Sequence, residues 1–145
     1  MSKILLLNGP NLNSLGIRYG YGSFTLEEAV ERADRVATIH GRALSHAQSN
    51  SESSLVTSVQ EARIEFDGIV INAGALTHYS WALADALKDF ARPVVELHIT
   101  NTMAREPWRH VSVLSPVVSG TIQGFGLLGY ELAVNALCAL LASGT

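Results

Sequence analysis

Ile4-Leu5-Leu6-Leu7-Asn8-Gly9-Pro10-Asn11-Leu12-Asn13 is the stretch whose reading decides the fold. Four consecutive apolar residues with no polar alternation make a strand covered on both faces, as in a parallel sheet. Gly9-Pro10 ends it and a polar loop follows. Outward from this strand, apolar runs alternate with helical patterns. Thr25-Leu26-Glu27-Glu28 starts a helix, with threonine as N-cap and glutamate three residues on. The helix runs to about His40 and stops at Gly41. Ala43 to Ala47 reads as a weaker second strand. Ser51-Glu52-Ser53-Ser54 opens a second helix reaching about Glu65. Asp67-Gly68 turns into a third strand, Ile69-Val70-Ile71. Thr77 is read as the cap of a third helix, which runs to about Phe90. Pro93 leads into a fourth strand, Val94 to Ile99. A fifth strand near Val117 to Ile122 precedes a last helix, about Leu127 to Leu141.

This alternation predicts an α/β fold: a flavodoxin-like three-layer sandwich around a five-stranded parallel sheet of order 2-1-3-4-5. In that order the ligand crevice lies at the carboxyl ends of strands one and three. The whole chain, 1–145, reads as a single domain. The hydrophobic fraction is 48% and only 16% of residues are charged. Mean hydropathy is +0.22. So little charge on a small domain predicts surface hidden against copies of itself. The net charge is −3, with no basic stripe, which argues against a nucleic-acid partner. No signal peptide and no membrane-length apolar run is read, so a cytoplasmic, soluble protein is expected. The single cysteine, Cys138, lies in an apolar run and reads as a buried small residue.

The chemistry collects at the strand ends. Asn8 to Asn13 follows strand one, Asn72-Ala73-Gly74-Ala75-Leu76-Thr77-His78 follows strand three, and strand four ends Glu96-Leu97-His98-Ile99-Thr100-Asn101. Glu96 and His98 are two apart on a strand and so share a face. A carboxylate beside an imidazole holds its tautomer and favours its charged form. Spacing alone leaves open a structural couple or a pair that does chemistry. Asn72 and His78 flank a predicted helix start, where backbone N–H groups favour anions. The alternative reading of His78 is a first-turn residue bonded to a backbone group, against which the polar ends of the other two strands weigh. Asp85, seven residues on, is expected on the same helix face as His78.

Other motifs carry less. Gly124-Phe125-Gly126-Leu127-Leu128-Gly129 fits the dinucleotide pattern literally but lies too near the C-terminus, so close helix–sheet packing explains it better. His40, His46 and His110 have no metal-ligand spacing. Arg105 and Arg109 suit a carboxylate ligand, or belong to a solvated charge run. No acidic residue precedes Glu27, so the first loop is not that of a phosphoryl-accepting receiver domain.

With these segments aligned, the chain resembles the type II 3-dehydroquinate dehydratases over nearly its whole length. The resemblance rests on Leu7-Asn8-Gly9-Pro10-Asn11-Leu12-Asn13 with Leu15-Gly16, on Gln48-Ser49-Asn50 with Glu52, and on Ile71-Asn72 with Gly74-Ala75 and Thr77-His78. It continues in Val95-Glu96 with His98-Ile99 and Asn101, in Ala104-Arg105-Glu106 with Arg109, and in Ser115-Pro116. It implies dehydration of 3-dehydroquinate to 3-dehydroshikimate through an enolate, with no metal or organic cofactor. It implies Tyr21 as the base, Arg18 as its lid partner, and His98 as the acid. Asn11 would hold the enolate through a bound water, and Glu96 would orient His98. Asn72, His78, Ile99, Thr100 and Arg109 would bind substrate, and Asp85 would reach a neighbouring subunit's site. A dodecamer built from trimers is also implied.

The lid is shorter than the family's by two residues, compressed to Arg18-Tyr19-Gly20-Tyr21-Gly22. Tyr21 matches the family's tyrosine through the run Tyr21-Gly22-Ser23 with Thr25-Leu26, and Tyr19 is the alternative. Ser53 replaces a usual glycine, Thr100 a usual serine, and Val111 a common histidine. A phenolate with an arginine about 4 Å away gains about 4 kcal/mol at an effective dielectric near 20, which would make such a base workable in a closed site. A shortened lid that fails to place the base would leave a non-catalytic protein holding a quinate-like acid, and a flavin-binding module is a more distant reading. An imine route needs a pocket lysine. The chain has only Lys3, at the amino end of strand one, and Lys88, near the end of the third helix.

Overall fold

The computed structural model describes residues 2–144. Five strands form one parallel sheet: β1 (Lys3–Asn8), β2 (Ala43–Gln48), β3 (Gly68–Asn72), β4 (Val94–His98) and β5 (Gly120–Gln123). Their order is β2-β1-β3-β4-β5, as the alternation predicts. Four α-helices flank the sheet: α1 (Leu26–Ile39), α2 (Glu52–Glu65), α3 (Trp81–Phe90) and α4 (Leu128–Ser143), the last of which follows β5.

Alternate strand residues serve opposite faces. Ile4, Leu6, Val70, Val95 and Leu97 pack with α1 and α4, around the fully buried Tyr130. Leu5, Leu7, Ile69, Ile71 and Val94 pack with α2 and α3. Every residue of β3 and β4 is buried, which is why these strands read as unbroken apolar runs apart from Asn72, Glu96 and His98. The edge strands β2 and β5 are partly exposed.

Local signals set most boundaries. Thr25 Oγ1 accepts the Glu28 backbone N–H at 3.2 Å, and Ser51 Oγ accepts that of Ser54 at 3.3 Å. Two expectations need correction. Thr77 does not cap the third helix: residues Gly74–His78 form a 3-10 turn, and Ser80 caps α3 by accepting from Leu83 N at 3.1 Å. Thr77 is unavailable because its hydroxyl is committed to Glu96. The fifth strand starts at Gly120 rather than near Val117, because Ser115–Val117 takes a 3-10 turn with Pro116 inside it.

The register aligns the polar ends. Asn8 pairs with Gln48 and Asn72, and His98 pairs with Gln123. The loops after β1 and β3 then lie against each other. A Cβ on Gly9 would stand 2.6 Å from the Ala73 carbonyl oxygen. One on Gly74, which has φ 59°, would stand 2.9 Å from that of Pro10. Both positions need glycine.

Candidate active site

A pocket opens at this end of the sheet. It is lined by Asn11, Arg18, Tyr21, Asn72, His78, His98, Ile99, Thr100, Arg105 and Arg109, among others. Nine of the sequence-predicted residues are therefore brought together: Asn11, Arg18, Tyr21, Asn72, His78, His98, Ile99, Thr100 and Arg109. Glu96 lies directly behind His98. Asp85 does not join them within one chain; it is exposed on α3. Its predicted shared face with His78 fails, because His78 belongs to the 3-10 turn before α3 begins.

Glu96 is fully buried, and its carboxylate is saturated. Oε2 accepts from His98 Nε2 at 2.6 Å, from Thr77 Oγ1 at 2.5 Å and from Ser112 Oγ at 2.9 Å. Oε1 accepts from Ser115 Oγ at 3.0 Å. Burial alone would push this carboxyl up, but the hydrogen bonds from His98, Thr77 and Ser112 outweigh it and hold Glu96 below the usual carboxylate range. Glu96 is thus an anion that accepts the Nε2 proton of His98, leaving Nδ1 as the imidazole's other nitrogen.

His78 stacks beside His98, with ring centroids 6.4 Å apart, and meets Trp108 edge-on at 5.4 Å. Its Nδ1 donates to the Val111 carbonyl at 2.8 Å, which fixes the tautomer. Burial lowers the His78 pKa, with help from His98 and Arg109 nearby, against the bond to Val111. His78 therefore combines both readings: it is bonded to a backbone group and lines the pocket.

In the short lid, Gly20 and Gly22 both adopt positive φ, 85° and 82°. The chain between them turns Tyr21 inward, while Tyr19 is fully exposed. The Tyr21 hydroxyl receives a 2.6 Å hydrogen bond from Arg105 Nη1, which also reaches Thr100 Oγ1 at 3.0 Å. Arg18 instead lies flat over the Tyr21 ring, 3.9 Å from its centroid. So the cation at the phenol oxygen is Arg105, which the sequence marked only as one of two arginines suited to a carboxylate. Thr77, Ser112 and Ser115 had no signal as partners of Glu96 either. Across the pocket, Arg109 stacks on Trp108 at 4.0 Å and donates to Glu106 at 3.1 Å.

Asn11 adopts a left-handed conformation, φ 71°, and its backbone N–H donates to Asn50 Oδ1 at 3.0 Å. Gln48 Nε2 donates to the Gly9 carbonyl at 3.1 Å, tying the end of β2 to the same loop. Lys3 pairs with Glu65 at 3.7 Å, at the opposite end of the sheet, and Lys88 is exposed on α3. Neither lines the pocket. Among the described residues, no three His, Cys, Asp or Glu side chains gather as metal ligands would. No helix among them is long and apolar enough to cross a membrane.

Comparison with known proteins gives a consistent result. A sequence profile described as dehydroquinase class II matches residues 2–138. A 3-dehydroquinate dehydratase of Anoxybacillus flavithermus is 48% identical over 139 residues, covering 94% of this chain and 94% of that protein. A catabolic 3-dehydroquinase of Penicillium rubens is 47% identical over 137 residues, covering 93% of this chain and 88% of that protein. The crystal structure of a type II dehydroquinase from Butyrivibrio crossotus superposes with a TM-score of 0.91 at 44% identity, covering 94% of this chain and 97% of that one.

Proposed function

Since the chain belongs to the class II dehydroquinase family, we propose that it is a hydro-lyase that dehydrates 3-dehydroquinate to 3-dehydroshikimate, with Tyr21 as base and His98 as acid. The observation that carries the residue assignment is that the Arg105-bound hydroxyl of Tyr21 and the Glu96-bound imidazole of His98 line one pocket. A base and an acid facing one ligand are what a dehydration needs.

The Tyr21 phenolate takes a proton from the carbon next to the ketone. The C–H electron pair moves onto the ketone oxygen, forming an enolate. Arg105 at the phenol oxygen and Arg18 over its ring stabilise the phenolate. Asn11 holds the enolate oxygen through a bound water. The enolate then re-forms the ketone, a carbon–carbon double bond appears, and the carbon–oxygen bond to the departing hydroxyl breaks. That hydroxyl takes a proton from His98 and leaves as water. Glu96, kept ionised, faces the positive charge of the imidazolium and fixes its ring. Asn72, His78, Ile99, Thr100 and Arg109 hold the substrate. The intermediate is not covalently bound, since neither lysine lines the site.

The low charge and the exposed apolar side chains Tyr79, Trp81 and Trp108 support self-association; as the family resemblance implies, we propose a dodecamer built from trimers in which Asp85 reaches a neighbour's pocket.

The test is direct. Enone absorbance should grow when the protein meets 3-dehydroquinate. His98→Ala should abolish the signal while 3-dehydroshikimate still binds by calorimetry. A variant with near-normal rate sinks the acid assignment. A silent wild type that still binds the ligand points to the non-catalytic binding reading.

A further inference from the structure

Beyond the pocket wall, four side chains form a hydrogen-bond chain across the carboxyl end of the sheet. The Gly74 backbone N–H donates to Asn72 Oδ1 at 3.2 Å. Asn72 Nδ2 lies 3.1 Å from the Tyr130 hydroxyl, which lies 2.7 Å from Asn8 Oδ1. Asn8 Nδ2 lies 3.1 Å from His46 Nε2, at the open edge strand β2. Asn8, Asn72 and Tyr130 are almost wholly buried.

The chain has one permitted direction. A backbone N–H can only donate, so it fixes Asn72 Oδ1 as acceptor and leaves Nδ2 to donate to Tyr130. Burial pushes the Tyr130 phenol up, so it keeps its single proton. With Asn72 donating to its oxygen, that proton goes to Asn8 Oδ1. Asn8 Nδ2 then donates to His46 Nε2, which must present a lone pair. Each link is set by the one before it, and His46 is held neutral with its proton on Nδ1. Partial burial lowers the His46 pKa, in the same sense.

Asn72 lines the substrate pocket, and the chain uses one of its two N–H bonds and its oxygen. The second N–H is the donor it has left for a ligand. We infer that Tyr130 is a positioning residue for the reaction: with Asn8 and His46, it locks the Asn72 carboxamide in the orientation that turns its remaining N–H donor to the substrate. This rests on the dehydratase reading above. A protonated His46 opposes a donor to a donor, so the lock loosens in acid. The titratable groups that line the groove with His46 are Glu27, Glu31 and Asp34 of α1; the segment between β1 and α1 contributes Asn13, Leu15 and Thr25, none of them charged.

Steady-state kinetics of the assembled protein, with 3-dehydroquinate followed by enone absorbance, tests this. Tyr130→Phe keeps the ring and removes the hydroxyl. It should raise KM about five-fold, or about 1 kcal/mol, while kcat changes little. An unchanged KM with only a lower Tm makes Tyr130 structural and overturns the inference. If Tyr130→Phe does not fold, His46→Gln decides, because its side-chain oxygen accepts from Asn8 without titrating. Wild type should show a rise in KM on the acid side that His46→Gln lacks; the α1 carboxylates are common to both and cancel. Identical KM profiles overturn the inference. A wild type with no turnover takes the dehydratase reading down with it, whereas an active wild type with indifferent variants removes the positioning role alone.

Discussion

Tyr19 and Tyr21 are two residues apart in one loop, yet only Tyr21 enters the pocket, because Gly20 and Gly22 bend the chain between positive-φ turns. Tyr21→Phe should therefore lower kcat by about 10²–10⁴-fold, the usual contribution of a general base, with Tyr19→Phe close to wild type. The reverse ranking would overturn the lid assignment. Arg105→Ala should cost more in kcat than Arg18→Ala, since Arg105 bonds the oxygen and Arg18 touches only the ring face. Glu96 carries a different prediction. Its folded pKa is depressed, so the stability it contributes is present above the ordinary carboxylate range and lost as pH falls through the folded value. Tm measured from neutral to acid pH should drop in wild type, and Glu96→Gln should show a shallower drop. Parallel curves for the two proteins would mean that Glu96 is not the group responsible.

At the scale of elements, the segment after β3 shows how a site reshapes local structure. A threonine ahead of an apolar helical run is a good cap by sequence, but Thr77 turns its hydroxyl to a buried carboxylate instead. The cap lies three residues later, at Ser80, whose hydroxyl accepts from Leu83 and donates to Glu52 of α2 at 2.5 Å. Ser80→Ala should lower stability by about 1 kcal/mol through the lost cap. Thr77→Val removes no cap and should change turnover through Glu96. Thermal denaturation and kinetics on the two variants separate these roles. If Thr77→Val has wild-type kinetics, its bond to Glu96 is dispensable.

For the whole molecule, the question is what covers the exposed apolar side chains and what Asp85 does. Asp85 stands outside its own chain's pocket, so a role in catalysis requires a neighbour. Light scattering should find a large symmetric oligomer, and Asp85→Ala should raise KM. Mixed oligomers of Asp85→Ala and His98→Ala subunits should regain activity, because some sites then combine an intact His98 with a neighbour's intact Asp85. A fully active monomer, or mixtures no better than the parents, would show that each chain works alone.

The sequence by itself determined the elements, their order and the end of the sheet where the site lies. Unbroken apolar runs such as Ile4–Leu7 and Ile69–Ile71 exist because a central parallel strand is buried on both faces, and capping residues such as Thr25 act on N–H groups three residues away. These are local effects, so local patterns reveal them. Glu96 and His98 were legible as a pair for the same reason, being two apart on one strand. The tertiary structure alone decided which groups serve them. Arg105 meets Tyr21 from 84 residues away, Ser112 and Ser115 meet Glu96 from a different loop, and Tyr130 meets Asn8 across 122 residues. A hydrogen bond between distant residues leaves no periodicity in either segment. Its partners become known only when packing brings a donor to an acceptor that burial has cut off from water.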